Sequence, residues 1–384
     1  MAFEFATASR IIFGAGSLKQ IGALAAPMGK RALLTTGHPA ERVHSLVELL
    51  KAQGIECSIF PVPCEPTTDL VRTGLIQARD TGCDLVIGFG GGSALDAGKA
   101  VAALLTNAGE LLDYLEVIGK GKPITQPSAP YLAVPTTAGT GTEVTRNAVL
   151  ASKEHQVKVS LRSPYMLPRV ALVDPELTYS LPREVTASTG LDALTQVIEP
   201  FVSLKANPMT DALCLEGMRR AARSLRQAFE NGSDAAARED MSLASLFGGL
   251  ALANAGLGAV HGFAAPVGGM FPAPHGAVCA RLLAPVMETN LQALSIRMPA
   301  SNALRRYDEV AKTVTGNNSA TASEGILWLQ ELCRALRIPS LSAYGITETD
   351  VPLLVERASV ASSMQANPIK LTAAELEGIL QAAL

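Results

Sequence analysis

The sequence predicts an α/β nucleotide-binding domain with a doubly wound parallel sheet, followed by an all-α helical domain. Three observations carry this. Short, continuously apolar runs alternate with amphipathic stretches up to about residue 180, strand-like runs then vanish, and glycine- or threonine-rich turns directly follow two of the apolar runs. The 384 residues also exceed what one hydrophobic core usually holds, roughly 250–300 residues, so two domains are expected, 1–182 and 183–384.

In chain order the first half reads as strand Arg31–Thr36, helix Glu41–Gln53, strand Glu56–Pro61, helix Thr68–Thr81 and strand Asp84–Phe89, then helix Ser93–Leu105 and strands Tyr131–Pro135 and Val170–Asp174. Continuous rather than alternating apolar strands imply a sheet covered on both faces. From Pro182 onward, Ala206–Phe229, Asp240–Ala255 and Ala322–Leu336 carry helical spacing. A Ser or Thr of SLPREVTAST is expected to cap the first of these helices. The Ala-rich stretch 243–268 is interrupted by glycines and His261, which predicts a buried helix and loop rather than a membrane span.

Composition narrows the function. Hydrophobic residues make up 48% and charged residues 17%, which excludes a disordered or acidic solvating chain. With 32 basic against 35 acidic side chains there is no general footprint for nucleic acid or an anionic membrane. Six scattered cysteines without a CxxC pair indicate neither a zinc knuckle nor a disulfide framework, and the N-terminus lacks the pattern of a secretory leader, so a reduced cytoplasmic setting is expected.

The first chemical motif is Gly88-Phe89-Gly90-Gly91-Gly92-Ser93, at a strand end and directly before a helix. Glycines there let a backbone approach a pyrophosphate, and the free N–H groups of the following helix attract its charge. The loop follows the third predicted strand rather than the first, unlike the usual dinucleotide fingerprint. The second motif, Pro135-Thr136-Thr137-Ala138-Gly139-Thr140-Gly141-Thr142-Glu143-Val144-Thr145, places hydroxyls at another strand end, where open α/β sheets bind ligands.

The third constellation is Asp192 with Gln196 four residues on, then His261 and His275. Asp192 and Gln196 share a helix face. A carboxylate with two imidazoles suits a divalent metal that keeps an open position, although two separately satisfied histidines fit the spacing equally well.

These residues carry a resemblance. From FGAGSL at 13–18 through GGGSALDAGKA, PTTAGTGTEVT, GLDALTQVIE, GLGAVHGFAAPVGG and PAPHG to SSMQANPIKLT at 362–372, the chain resembles the iron-containing (group III) alcohol dehydrogenase family of the dehydroquinate synthase-like superfamily. The resemblance implies NAD or NADP and a divalent metal (Fe2+ or Zn2+) meeting in a cleft, a small-molecule alcohol or aldehyde substrate, and a homo-oligomer, expected to be a dimer. It assigns Gly90, Gly91, Gly92, Ser93, Asp96, Thr136, Thr137, Thr140, Thr145 and Lys158 to the cofactor, and Asp192, His261 and His275, acting through the metal, to catalysis.

Three positions depart from the family pattern. Gln196 stands where a metal-binding histidine is usual and is expected as the fourth ligand beside Asp192, His261 and His275; its amide oxygen holds ferrous iron less tightly, which brings zinc, a weakly held metal or no metal into play. Ala265 stands where many members have a second histidine near the substrate, removing a proton carrier. Gly37 follows the first predicted strand where NAD-preferring members often place an aspartate, and nearby His38 or Arg42 opens the way to NADP. The expected activity is reversible hydride transfer between an alcohol and its aldehyde or ketone, with the metal as Lewis acid. The alternatives are a maleylacetate-reductase-like oxo-acid reductase, with Arg146, Lys158 and Arg281 as candidate cations, a dehydroquinate-synthase-like lyase, and a degenerate cofactor-binding protein without activity.

Overall fold

The computed structural model describes residues 2–384, which divide into two compact units, one formed by Ala6–Thr137 with Gly141–Thr178 and the other by Tyr179–Leu384 with residues 2–5 and 138–140. In the first, the elements are β1 (Ile11–Phe13), α1 (Ile21–Ala25), β2 (Arg31–Thr36), α2 (Ala40–Lys51), β3 (Glu56–Pro61), α3 (Thr68–Asp80), β4 (Leu85–Gly90), α4 (Gly92–Thr106), α5 (Leu111–Tyr114), β5 (Tyr131–Pro135), β6 (Asn147–Ser152), β7 (Val157–Arg162) and β8 (Val170–Val173). Six strands form a parallel sheet in the order β1-β8-β5-β4-β2-β3.

Successive strand residues point to opposite faces, and here both faces are apolar cores. Leu33, Val86 and Ala133 enter one core, while Leu34, Ile87 and Val134 enter the other. That is why the strands read as unbroken apolar runs. The connection after β2 leads to β3 on one side, and the chain then returns to place β4 on the other side of β2. Such a switch opens a crevice at the strands' C-terminal ends.

The sequence reading overlooked β1, too short to signal, and the antiparallel pair β6–β7. Buried and less buried residues alternate along β6, the mark of a half-covered strand, whereas the reading sought continuous runs. The glycine loop therefore follows the fourth strand of the chain, not the third.

The second unit is helical: α6 (Arg183–Val202), α7 (Pro208–Glu230), α8 (Ala235–Ala255), α9 (Ala259–Met270), α10 (His275–Arg297), α11 (Asn302–Thr315), α12 (Ala322–Ala335), α13 (Val351–Ser359) and α14 (Ala373–Ala383). α6 starts directly after Pro182 and has no side-chain cap, so the expected Ser or Thr cap is absent. It is the central helix of this unit, buried continuously from Gly190 to Val202. The Ala-rich stretch breaks where expected, because Gly256, at φ 71°, takes a left-handed turn that L side chains resist. Among the described residues no single helix is long and apolar enough to cross a membrane.

Candidate active site

In the sheet unit, the predicted dinucleotide residues gather at the ends of β2, β4 and β5. Thr136 N–H donates to the carbonyl of Gly90 at 2.9 Å. A Cβ on Gly90 would come within 2.7 Å of the Ala94 Cβ and 3.4 Å of the Gly37 nitrogen, and one on Gly91 would meet the Thr137 methyl at 3.3 Å. Gly37, Gly90, Gly91, Thr136 and Thr137 therefore line one surface. Gly92 and Ser93 form the first turn of α4, whose N-cap, Gly91, offers no side chain to its N–H groups. Those donors stay open to an anion. His38 completes the surface, with Nε2 2.8 Å from Thr136 Oγ1 and its ring 5.2 Å from that of Phe89. Burial, with a smaller contribution from Arg42, holds its pKa below the ordinary histidine value.

Asp96 and Thr145 belong to a buried network that the sequence reading did not foresee. Lys99 Nζ donates to Thr142 O at 2.7 Å, Thr142 Oγ1 at 3.1 Å, Thr145 Oγ1 at 2.9 Å and Asn147 O at 2.8 Å. Asp96 accepts from the Thr142 hydroxyl at 2.5 Å and from Val149 N–H at 3.0 Å. Lys99 thus ties the helix after the glycine loop to the far end of the threonine loop. Burial lowers the Lys99 pKa to about 8 and raises that of Glu143 to about 7. The available signal was a lysine inside the apolar run AGKAVAALL, since lysine is almost never fully buried without partners. Lys158, on β7, pairs with Glu65 at 2.6 Å, and Thr140 groups with the helical unit.

In the helical unit, α6, α9 and α10 bring Asp192, His261 and His275 together. His261 Nε2 is 3.3 Å and His275 Nε2 3.8 Å from Asp192 Oδ1, and the two rings lie 5.4 Å apart. Asp192 Oδ1 is buried and has no hydrogen-bond partner. An orphaned carboxylate oxygen beside two imidazole nitrogens is costly unless a cation joins them, so these residues fit a divalent metal. Electrostatics agree. Burial pulls the Asp192 pKa upward, yet His275 and His261 hold it below its ordinary value; burial disfavours protonated His261, yet Cys279, Asp192 and Glu199 hold its pKa well above the usual range.

Two further residues join this cluster. Glu199 Oε2 lies 2.6 Å from His261 Nδ1, while its Oε1 accepts Val260 N–H at 2.8 Å. Cys279 Sγ lies 3.7 Å from His261 Nε2 and 3.6 Å from His275 Nε2, and burial pushes its thiol up to about 12. The donor atoms of Asp192, His261, His275 and Cys279 all lie within 4.8 Å of one another. Helical spacing offered both residues: Cys279 is one turn from His275, and Glu199 is two turns from Asp192. Gln196 is buried on the same helix as Asp192, but its Oε1 has no hydrogen-bond partner and would lie 3.5 Å from a Cβ on Gly248 in α8. Ala265 lies on α9, and Phe263 and Val267 of the same helix are fully buried in the core. Arg281 donates to the carbonyl of Ala383, near the C-terminus.

The cradle has the features of a dinucleotide site and the carboxylate–imidazole cluster those of a metal site, the two parts that a metal-dependent oxidoreductase needs. Residues 8–175 match the family described as iron-containing alcohol dehydrogenase, and residues 186–384 match the Fe-containing alcohol dehydrogenase family, C-terminal. The chain is 36% identical to 1,3-propanediol dehydrogenase of Klebsiella pneumoniae over 394 aligned positions, covering 99% of this chain and 98% of that one. Among solved structures, a 1,3-propanediol oxidoreductase superposes with a TM-score of 0.93 at 35% identity, covering 100% of both chains. A sulfoacetaldehyde reductase from Bifidobacterium kashiwanohense, in complex with NAD+, superposes with a TM-score of 0.87 at 28% identity, covering 100% of this chain and 99% of that one. The chain belongs to the iron-containing alcohol dehydrogenase family.

Proposed function

We propose that this dehydrogenase interconverts a small alcohol and its aldehyde or ketone, using NAD or NADP and a divalent metal, iron or zinc, held by Asp192, His261 and His275. The observation that carries the metal assignment is the buried, unpartnered Asp192 Oδ1 beside two imidazole nitrogens. When bound, the metal supplies a Lewis acid for the substrate oxygen and the nicotinamide supplies or accepts the hydride. The chain's own part is to orient and to exclude. Asp192 and His261, both buried, fix two directions of the site, and half-buried His275 forms its more open side. Glu199 holds the Nδ1 side of His261, which leaves Nε2 directed at the cluster. With Ala265 one turn beyond His261, no imidazole stands there to carry the substrate proton, which leaves cofactor ribose hydroxyls, threonines or water for its exit.

Gly37, Gly90, Gly91, Gly92, Ser93, Thr136 and Thr137 cradle the dinucleotide, Thr140 adds a hydroxyl, Lys158 contributes through its ion pair with Glu65, and Asp96 and Thr145 shape the cradle through Lys99. Gly37 leaves no carboxylate to repel a 2′-phosphate, and Arg42, in the first turn of α2, is the cation nearest in sequence, so NADP is open to this site as well as NAD. The retained Asp192 and His261 disfavour an oxo-acid reductase that lacks this ligand set. We also assign the protein to the cytoplasm, in keeping with its six free cysteines, and, from its family membership, to a homo-oligomer, a dimer. Replacing His275 with Ala is expected to abolish turnover of an aldehyde panel followed at the NAD(P)H absorbance while leaving NADH binding intact. Unchanged turnover would refute the metal's role.

A further inference from the structure

We infer that Cys279 is a ligand of the metal, so that the site is Asp192, His261, His275 and Cys279 and prefers zinc to ferrous iron. This rests on the metal reading above and extends it to a residue outside the three ligands named there. Donors at zinc bond lengths of about 2.0–2.3 Å in a tetrahedron sit roughly 3.3–3.7 Å apart. The cluster shows 3.3 and 3.8 Å from the carboxylate oxygen to the two imidazole nitrogens, and 3.6 and 3.7 Å from those nitrogens to the sulfur. Cys279 and His275 stand four residues apart on α10, so one helix face presents both. The sulfur is fully buried and turned towards both imidazoles. The independent sign of a missing cation is Asp192 Oδ1, also buried and without a hydrogen-bond partner.

Gln196, one turn beyond Asp192, has its amide oxygen beside Gly248 and is a harder, weaker donor. Thiolate sulfur selects zinc over metals that favour oxygen ligands. On binding, the Cys279 S–H loses its proton to buffer and its sulfur bonds the divalent ion, with no change of oxidation state. Catalytic zinc can expand to five donors in the transition state, and a substrate oxygen would enter beside the four protein donors in that way.

Cobalt(II), a zinc surrogate with visible and near-ultraviolet spectra, tests this in full-length protein stripped with chelator and reloaded. The expected result is one cobalt per chain with an intense sulfur-to-cobalt charge-transfer band, lost in Cys279→Ser although cobalt still binds. Full cobalt occupancy of the unmutated protein without the band would overturn the Cys279 assignment and leave the metal reading standing, whether or not the variant folds. A band that persists in Cys279→Ser would also overturn it. No cobalt binding at all would overturn both. Metal analysis of protein purified without chelator should find zinc, and a predominance of iron would refute the stated preference.

Discussion

Glu199 Oε2 lies 2.6 Å from His261 Nδ1, placing a buried carboxylate behind the imidazole whose opposite nitrogen points at Asp192. Carboxylates so placed fix a ligand's tautomer and raise its basicity, and their loss typically weakens metal binding 10–100-fold. Glu199→Gln should therefore lower metal affinity by about that factor. Chelator competition measures it, and an unchanged affinity would remove Glu199 from the site's support.

Lys99 makes four hydrogen bonds across residues 142–147 from a fully buried position. Lys99→Met leaves those acceptors, and the carboxylate of Asp96, without their cation. The expected loss is about 3 kcal/mol in urea denaturation, with weaker NADH binding in titration because the threonine loop loses its anchor. Loss of stability without loss of NADH affinity would show that the network only supports the fold.

Burial raises the Glu143 carboxyl from 4.5 to about 7. Between those values the folded protein holds a proton that the unfolded chain has released, so its contribution to stability is complete below pH 4.5 and is lost as pH rises through 7. Glu143→Gln should flatten the decline of denaturation midpoint across this window. A slope that survives the substitution would place its origin elsewhere.

Gly37 sits beside Gly90 in the cradle, and a Cβ there would approach Val62 O at 3.2 Å, a contact relieved by a shift of a few tenths of an ångström. Gly37→Asp should accept the adenosine ribose diol and repel a 2′-phosphate, raising the KM ratio of NADP to NAD roughly tenfold or more. Steady-state kinetics with both cofactors decides it; an unchanged ratio would place cofactor choice elsewhere.

Much of the fold was legible because its physical cause is local. Strands such as β4 and β5 lie between two apolar cores, so every residue is apolar and the run announces itself. β6 and β7 escaped because a half-covered strand shows alternation, and three-residue β1 carries too little pattern to read. The cofactor glycines stood out because backbone must approach closely where a side chain would collide, as at Gly90. Lys99 was hidden because its partners lie more than forty residues away in the chain.

The metal site divides along the same line. Sequence alone determined that a carboxylate and two imidazoles were available and that the usual third imidazole was replaced by Gln196. Only the tertiary structure decided which side chains converge, because α6, α9 and α10 meet through packing that no local spacing encodes. That packing sets Glu199 behind His261 and the sulfur of Cys279 beside both imidazoles, and it leaves Asp192 Oδ1 buried with no partner from the chain itself.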